Sequence, residues 1–149
     1  MEKNKRLKIF VDTNIIISGT FFSGNESKLL SLLDVDFCTC DVVIEETKEV
    51  VRRKLKSLGA ETLTVALDKL EHTFRDFKEI IQFSKYQHKI EIAEQLIHKQ
   101  KDIQILSAVM IANPDYFVTG DSDFFVENVI KLIEVYHTKQ LLTKLGIKT

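Results

Sequence analysis

The sequence is poor in the residues that mark disulfide frameworks, linkers and membrane spans. Its 149 residues include two cysteines, one proline, five glycines and no tryptophan. Because no low-complexity or repeated tract accompanies the single proline, no linker is indicated, and we expect one domain over residues 1–149. No apolar run reaches about 18 residues, and no signal-peptide pattern follows the polar start of the chain. We therefore expect a cytoplasmic protein without a membrane-spanning segment.

The chain also lacks a large excess of either charge. Its 21 lysine and arginine residues and 22 aspartate and glutamate residues give a formal net charge of −1. The strongly basic balance of many nucleic-acid binders is therefore excluded for the chain as a whole, although a local basic patch would still bind nucleic acid. Hydrophobic residues at 44% and charged residues at 29% are ordinary for a globular domain.

The two cysteines, Cys38 and Cys40, lie one residue apart in the segment "DFCTC". Strand alternation would point both thiols to one face of a sheet. The sequence has no second cysteine pair to complete a zinc site, so we predict that both are small core residues rather than metal ligands.

Short apolar runs alternate along the chain with longer amphipathic segments. The apolar runs predict strands at Leu7–Val11, Asp36–Cys40, Glu79–Phe83, Tyr116–Thr119 and Leu132–Tyr136. The amphipathic segments predict helices at Asn25–Leu33, Val42–Leu58, Leu63–Phe77, His88–Lys99 and Asp102–Ala112. This alternation predicts an α/β protein, a three-layer α/β/α sandwich with a central, mainly parallel sheet of four or five strands.

Aspartates follow two of the predicted strands. Asp12 ends the run "KIFVD", while Asp121 and Asp123 follow the run "YFVTG". Ligands of parallel sheets bind beyond the carboxyl ends of the strands, which is where these side chains would meet. Asp12 or Asp121 taken alone has the alternative of a turn residue or a helix N-cap.

Two further acids lie on predicted helices. The helical period places Glu46 at the edge of its helix's apolar arc and Glu45 well away from it, so only Glu46 can face inward. The alternative for Glu46 is a solvent-exposed rim position. Asp102 begins a helix that is apolar on nearly every face, and an N-cap is its alternative role.

A cluster of these carboxylates would require a counterion. Two unit charges about 4 Å apart repel by roughly 4 kcal/mol at an effective dielectric near 20. The acids are therefore either apart or held together by cations, and ligation by oxygen alone favours Mg²⁺ or Mn²⁺. No metal-ligand spacing relates the four histidines, which are His72, His88, His98 and His137.

Four segments together resemble the PIN domain family, a metal-dependent nuclease fold that includes VapC-type toxins. They are "KIFVDTNIIISG", "VVIEETKEVVRRKL", "KDIQILSAVMIANPDYFVTGDSDFF" and "VYHTKQLLTKLG". The resemblance covers almost the whole chain. It implies an endoribonuclease that hydrolyses RNA with one or two Mg²⁺ or Mn²⁺ ions and leaves a 5′-phosphate and a 3′-hydroxyl. It further implies a toxin with an antitoxin partner, and a homodimer.

The resemblance also assigns residues to roles. The family's four acidic positions, implied to bind metal and support catalysis, are occupied by Asp12, Glu46, Asp102 and Asp121. Asp123 fills an additional acidic position that some members have. Polar positions that resemble those orienting the acids or a substrate phosphate are occupied by Thr13 or Asn14 and by Thr119.

Substrate contacts are less well defined by the sequence. Arg52 and Arg53, in the run "RRKLK", point outward on the predicted helix of Glu46 and would reach phosphates. Their alternative is a solvated helix face. The apolar segment Ile15–Phe22 is either core or a docking surface for a partner helix or a second copy of the chain.

Two other functions compete with the nuclease interpretation. A phospho-acceptor receiver domain also gathers acids above a parallel sheet, but "VDTN" and "VTGD" lack its adjacent acids and strand-end lysine. The second alternative is a catalytically silent PIN-fold binding module that acts through protein or RNA contacts. The intact set of four acids argues against silence.

Overall fold

The computed structural model describes residues 6–149, in which five strands form one sheet. The strands are β1 (Leu7–Val11), β2 (Val35–Cys40), β3 (Glu79–Ile81), β4 (Tyr116–Val118) and β5 (Val135–Tyr136). Their order is β3-β2-β1-β4-β5, and the four pairings between neighbours are parallel. All five strands therefore end at the same edge of the sheet, where β1 and β4 lie side by side.

Helices flank this sheet and complete the predicted three-layer α/β/α sandwich. The α-helices are α1 (Thr13–Phe21), α2 (Asn25–Leu30), α3 (Asp41–Leu55), α4 (Ala60–Arg75), α5 (Phe83–Tyr86), α6 (Ile90–Ala93), α7 (Gln100–Ala112), α8 (Glu127–Ile130) and α9 (Thr138–Lys144). Short 3₁₀ turns occur at Lys56–Leu58, Gln87–Lys89 and Ser122–Phe124. No helix of residues 6–149 combines the length and the apolar character needed to cross a bilayer.

The centre of the sheet is apolar on both faces. Three consecutive residues of β1, Ile9, Phe10 and Val11, are fully buried. Because successive strand residues point to opposite faces, helices must cover both sides of β1. Phe10 packs edge-to-face against Phe117 of β4, with ring centroids 5.5 Å apart. This packing fixes the ends of β1 and β4 relative to each other.

Both cysteines belong to this core, as predicted. Cys38 and Cys40 lie on β2, and both are free and fully buried. Burial raises the pKa of each thiol to about 12. They remain protonated at neutral pH, a state in which sulfur is a poor metal ligand.

The prediction of one helix over His88–Lys99 is wrong. The segment instead contains a 3₁₀ turn, the single-turn helix α6 and a further turn, and α7 begins only at Gln100. Ala93 and Ile97 are both buried, and the Ile97 N–H donates to the Ala93 carbonyl over 3.1 Å. A single helical turn therefore reproduces the apolar spacing that predicted a longer helix.

Two further differences lie at the ends of elements. The strand predicted at Leu132–Tyr136 contains only Val135 and Tyr136, because the Ile133 N–H completes the turn of α8 by donating to the Val129 carbonyl. The segment Ile15–Phe22 largely forms α1, which was not predicted as a helix. Ile15 and Ile16 are buried in the core, whereas Phe22 at its end is 68% exposed.

Candidate active site

The fold brings the four predicted acids to one pocket at the carboxyl edge of the sheet. Asp12 directly follows β1, Asp121 follows β4, Glu46 comes from α3 and Asp102 from α7. The cavity has a volume of about 390 Å³, and its polar and charged lining residues are Asp12, Thr13, Asn14, Glu46, Lys99, Gln100, Lys101, Asp102 and Asp121. This is the edge at which open parallel sheets bind ligands.

Asp12 is buried at the bottom of this pocket, with 5% of its surface exposed. Its Oδ1 accepts a 2.7 Å hydrogen bond from the Thr13 N–H and so caps α1. Its Oδ2 accepts another, also 2.7 Å, from the Thr119 hydroxyl. One side chain therefore both caps α1 and lines the acidic pocket. Burial, and then the charges of Glu46 and Asp121, raise the pKa of Asp12 to about 6 despite these hydrogen bonds.

Thr119 links the acids that follow β1 and β4. Its fully buried hydroxyl donates to Asp12 and accepts from the Asp121 N–H over 3.0 Å. A single hydroxyl thus uses its donor and one acceptor position to fix the Asp12 side chain relative to the Asp121 backbone.

Glu46 faces the pocket, as the helical period predicted, whereas the neighbouring Glu45 is exposed. The Thr13 hydroxyl donates a 2.5 Å hydrogen bond to Glu46 Oε1. The side chain of Glu46 is 24% exposed and also pairs with Lys101, whose Nζ lies 3.2 Å from Oε2. Both oxygens of this carboxylate therefore have partners.

Asp102 has a buried carboxylate oxygen that no hydrogen bond from the described residues satisfies. Helix α7 begins at Gln100, so Asp102 is inside the first turn and is not the N-cap. It is 6% exposed, and within residues 6–149 its buried Oδ2 finds no hydrogen-bond donor. Burial, followed by the charges of Asp121 and Asp123, raises its pKa to about 6. An orphaned buried carboxylate oxygen is costly, and a cation would satisfy it.

Asp102, Asp121 and Asp123 form the tightest group of acids. Each offers one oxygen, and the three oxygens lie within 4.8 Å of one another. The Asp123 N–H donates to Asp121 Oδ1 over 2.9 Å, so the 3₁₀ turn that follows β4 holds the Asp121 side chain in place. Three carboxylate oxygens with no nitrogen or sulfur are compatible with Mg²⁺ or Mn²⁺. Asp12 and Glu46 line the same pocket outside this closest trio.

Two lysines at this pocket were not singled out by the sequence reasoning. Lys99 Nζ lies 2.6 Å from Asp123 Oδ2, and Lys101 forms the pair with Glu46. Both sit at the start of α7, and their position on either side of Gln100 just before Asp102 was the available signal. Arg52 and Arg53 instead line a separate pocket and are exposed.

Two cavities continue the acidic pocket on either side. One, of about 450 Å³, shares Lys99 and Asp102 with it and is walled by Leu96, Ile97 and Val126. The other, of about 310 Å³, shares the exposed residue Asn14 and includes these polar residues: Ser18, Asn25, His137, Thr138 and Lys139. Because the acidic pocket shares lining residues with both neighbours, we refer to the three adjoining cavities together as the groove.

Known proteins share both the sequence pattern and the fold. The profile of the PIN domain family matches residues 10–145. The solved structure of VapBC2 from Rickettsia felis, bound to a DNA fragment from their promoter, has a TM-score of 0.64 and 17% identity over 88% of this chain and 98% of that chain. FitAcB from Neisseria gonorrhoeae gives 0.63 and 19%, with the same coverage of each chain. PAE2754 from Pyrobaculum aerophilum gives 0.67 and 12% over 97% of this chain and 98% of that chain.

At these identities the structural likeness establishes the fold alone. Comparison with curated protein sequences finds no match. The family profile, however, spans most of the sequence and includes all the acids of the pocket. The chain belongs to the PIN domain family.

Proposed function

We propose that this protein is a divalent-metal-dependent endoribonuclease that hydrolyses RNA phosphodiester bonds. The observation that carries the proposal is the buried, unpaired Oδ2 of Asp102, a residue that groups with Asp121 and Asp123. A carboxylate oxygen in that position fits a metal ligand better than a structural hydrogen-bond acceptor. Membership of the PIN domain family supports nuclease chemistry in such a pocket. The products would be a 5′-phosphate and a 3′-hydroxyl.

The acids would share the work of holding one or two Mg²⁺ or Mn²⁺ ions. Asp102, Asp121 and Asp123 offer the closest oxygens, and Asp12 and Glu46 would complete the ligand set directly or through water. Bound ions of this kind supply a water of lowered pKa and offset the charge on the leaving oxygen.

The threonines would act by orienting these acids. Thr13 holds Glu46 and Thr119 holds Asp12, each through its hydroxyl. Hydrogen-bond partners of this kind fix the direction of a ligand and commonly affect metal affinity by tenfold or more. Asn14, an exposed residue that lines two of the cavities, would be a further polar group in reach of a substrate phosphate.

An RNA strand would follow the groove formed by the three cavities. With its scissile phosphate at the acids, the neighbouring nucleotides would fall in the adjoining cavities. One cavity has apolar walls suited to a base, and the other has the polar residues suited to the backbone. Arg52 and Arg53 would contribute only longer-range attraction, because they line a different pocket.

We extend the proposal to a toxin that pairs with an antitoxin and forms a homodimer in the cytoplasm. The VapC-like motifs and the likeness to VapBC2 and FitAcB support this extension. Phe22, 68% exposed at the end of α1, offers apolar surface for such a contact. A short reading frame for a small partner beside the gene, and co-purification of the two products, would test it.

A catalytically silent PIN-fold binding module is the second candidate. The observation that favours it is the pairing of Asp123 with Lys99 and of Glu46 with Lys101, because two of the acids then have counterions within the chain. Such a module would bind protein or RNA without cleaving it, even in the presence of a divalent metal ion.

Cleavage of end-labelled structured RNA separates the two candidates. The protein is assayed with Mn²⁺ and with EDTA, alongside Glu46→Gln and Asp12→Asn variants. Glu45→Gln is the matched control, because Glu45 is the exposed neighbour of Glu46 on the same helix. We expect metal-dependent cutting by the parent and by Glu45→Gln and a loss of at least about 100-fold in the other two. Equal cutting by all four proteins, or none with any RNA tested, would favour contamination or the silent module.

A further inference from the structure

We propose that Lys99 and Lys101 are tethered counterions of the acidic site, which a divalent ion displaces and which then hold substrate phosphate. The inference rests on the proposed function and adds a mechanism by which the chain sets its own metal affinity. It is carried by two ion pairs, one to each side of Asp102. Lys99 pairs with Asp123 over 2.6 Å, and Lys101 pairs with Glu46 over 3.2 Å.

The pair of Lys101 with Glu46 occupies an oxygen that a metal would need. Glu46 Oε1 already accepts from the Thr13 hydroxyl, and Oε2 faces the Lys101 ammonium. Thr13 is a buried residue, whereas the Lys101 side chain is largely exposed to solvent. A cation at Oε2 is therefore repelled by the Lys101 ammonium until Lys101 moves away.

The pair of Lys99 with Asp123 has the same consequence for the trio of acids. Asp123 contributes one of the three oxygens that lie within 4.8 Å of one another, and Lys99 Nζ lies 2.6 Å from its Oδ2. A single positive charge at this position offsets part of the repulsion among the trio. A divalent ion within the trio would offset more, because it contacts several carboxylates at once.

Both lysines are able to leave their carboxylate partners and pair with another anion. Their side chains are 74% and 57% exposed, and each ammonium ends a flexible four-carbon stem. Ion pairs this exposed contribute little stability, so releasing them opposes metal binding only weakly. Their backbones are fixed at the start of α7, next to Asp102. After release, the ammonium groups would therefore stay at the mouth of the pocket.

Substrate phosphate is the anion they would then meet. Among residues 6–149, Lys99 and Lys101 are the lysine or arginine side chains that line the acidic pocket. An RNA phosphate entering next to five acids needs local positive charge, and two free ammonium groups supply it in addition to the metal. Metal binding and RNA binding would in this way be positively coupled.

Lysine-to-methionine variants test the exchange, because methionine keeps much of the stem and removes the charge. Mn²⁺ affinity is measured by calorimetry at fixed ionic strength for the parent, Lys99→Met and Lys101→Met. The matched control is Lys131→Met, since Lys131 forms an exposed ion pair with Glu127 over 3.1 Å and does not line the acidic pocket. We expect each pocket variant to bind Mn²⁺ about three- to tenfold more tightly and the control to be unchanged. Lys101→Arg should keep the parent affinity, because it retains the charge.

RNA affinity is measured with saturating Mn²⁺ and an RNA with phosphorothioate linkages, which slow cutting while all the acids stay in place. Here the lysine variants should bind more weakly, and each should reduce the salt dependence of binding by roughly 0.7 in the log–log slope. Opposite effects on metal and on RNA are the signature of the exchange. Unchanged RNA affinity in both variants would overturn the proposal.

The Mn²⁺ affinities distinguish a wrong counterion proposal from the absence of a metal site. If the parent binds Mn²⁺ and all the lysine variants bind it equally, the counterion proposal is overturned while the metal site stands. If the parent itself does not bind Mn²⁺, the proposed nuclease function loses its metal, and the counterion proposal is overturned with it.

Discussion

The hydroxyl of Thr13 donates a 2.5 Å hydrogen bond to Glu46 and thereby joins the first turn of α1 to the middle of α3. The same residue donates its backbone N–H to Asp12. Because Asp12 in turn accepts from Thr119, which accepts from the Asp121 N–H, one chain of hydrogen bonds connects three of the acids. A substitution that displaces one of these side chains should therefore shift the other side chains of the network as well.

The first prediction concerns the Thr13 hydroxyl, which a substitution by valine removes while keeping the shape of the side chain. Thr13→Val should lower the free energy of unfolding by about 1 kcal/mol, because a buried hydrogen bond is lost. RNA cleavage should fall by about tenfold, since Glu46 would keep only its mobile lysine partner. Thr64→Val is the matched control: Thr64 is exposed on α4, and its hydroxyl donates only to the Ala60 carbonyl. A cleavage rate that falls equally in both variants would contradict an orienting role for Thr13.

The second prediction concerns pH. Asp12 and Asp102 have pKa values raised from 3.8 to about 6, chiefly by burial. Between these values the folded protein binds more protons than the unfolded chain, so the free energy of unfolding should fall as pH rises from about 4 to about 6. The rise from 3.8 to about 6 corresponds to roughly 3 kcal/mol for one carboxyl, and the pair contributes less than twice this because the two interact.

Denaturant unfolding in EDTA across this pH range measures the effect. Other carboxylates in the chain form ion pairs and favour the opposite trend, so the informative quantity is the difference between parent and Asp12→Asn. The variant should lose less stability than the parent as pH rises. Parallel curves would show that the Asp12 carboxyl is not under strain from burial and neighbouring charge.

The helical period and the strand pattern predicted most of what positions the site. A rotation of about 100° per residue is enough to choose Glu46 over Glu45, and the end of a parallel strand is enough to place Asp12. The lysines were missed because a charge at the start of a helix looks like an ordinary solvated residue. The grouping of Asp123 with Asp102 depends on the 3₁₀ turn Ser122–Phe124. The periodicity of apolar residues does not predict such a short turn.

The error over His88–Lys99 has a related cause. Apolar residues that face a core at a spacing of four satisfy the helical template even where the chain makes only one turn. Helix α7 begins at Gln100 and not at Asp102, and this places Asp102 in the first turn rather than at the cap. The donor-free Oδ2 of Asp102, which is the strongest argument for a metal, was therefore hidden from the sequence.

The third prediction tests a buried polar contact away from the acids. The Tyr86 hydroxyl donates a 2.6 Å hydrogen bond to Asp41 Oδ1 at the start of α3, and Tyr86 is fully buried. Burial and the carboxylate raise the pKa of this phenol above its ordinary value. Tyr86→Phe should lower the free energy of unfolding by about 1 to 3 kcal/mol, because a hydrogen bond to a charged acceptor is lost. Metal affinity should be unchanged in the folded variant, and a variant as stable as the parent would contradict the structural role.

The fourth prediction tests, through melting temperatures, whether repulsion among the crowded acids destabilises the fold. In EDTA, Asp12→Asn should melt at a higher temperature than the parent, because the variant removes one charge from a buried group of like charges. The amide oxygen can still accept from the Thr13 N–H, and the Thr119 hydroxyl can turn to accept from the new NH₂ group. Asp121→Asn should have the same effect.

Saturating Mn²⁺ should reverse the order of melting temperatures. A ligand at 100 times its dissociation constant stabilises the folded state by about 2.7 kcal/mol, and the parent should gain more than either variant because it keeps its full set of ligands. Glu45→Gln again serves as the control, since it removes a negative charge from α3 that is exposed. If neither aspartate variant melts above the parent in EDTA while Glu45→Gln does, relief of surface charge explains stability here and the acids of the pocket do not strain the fold.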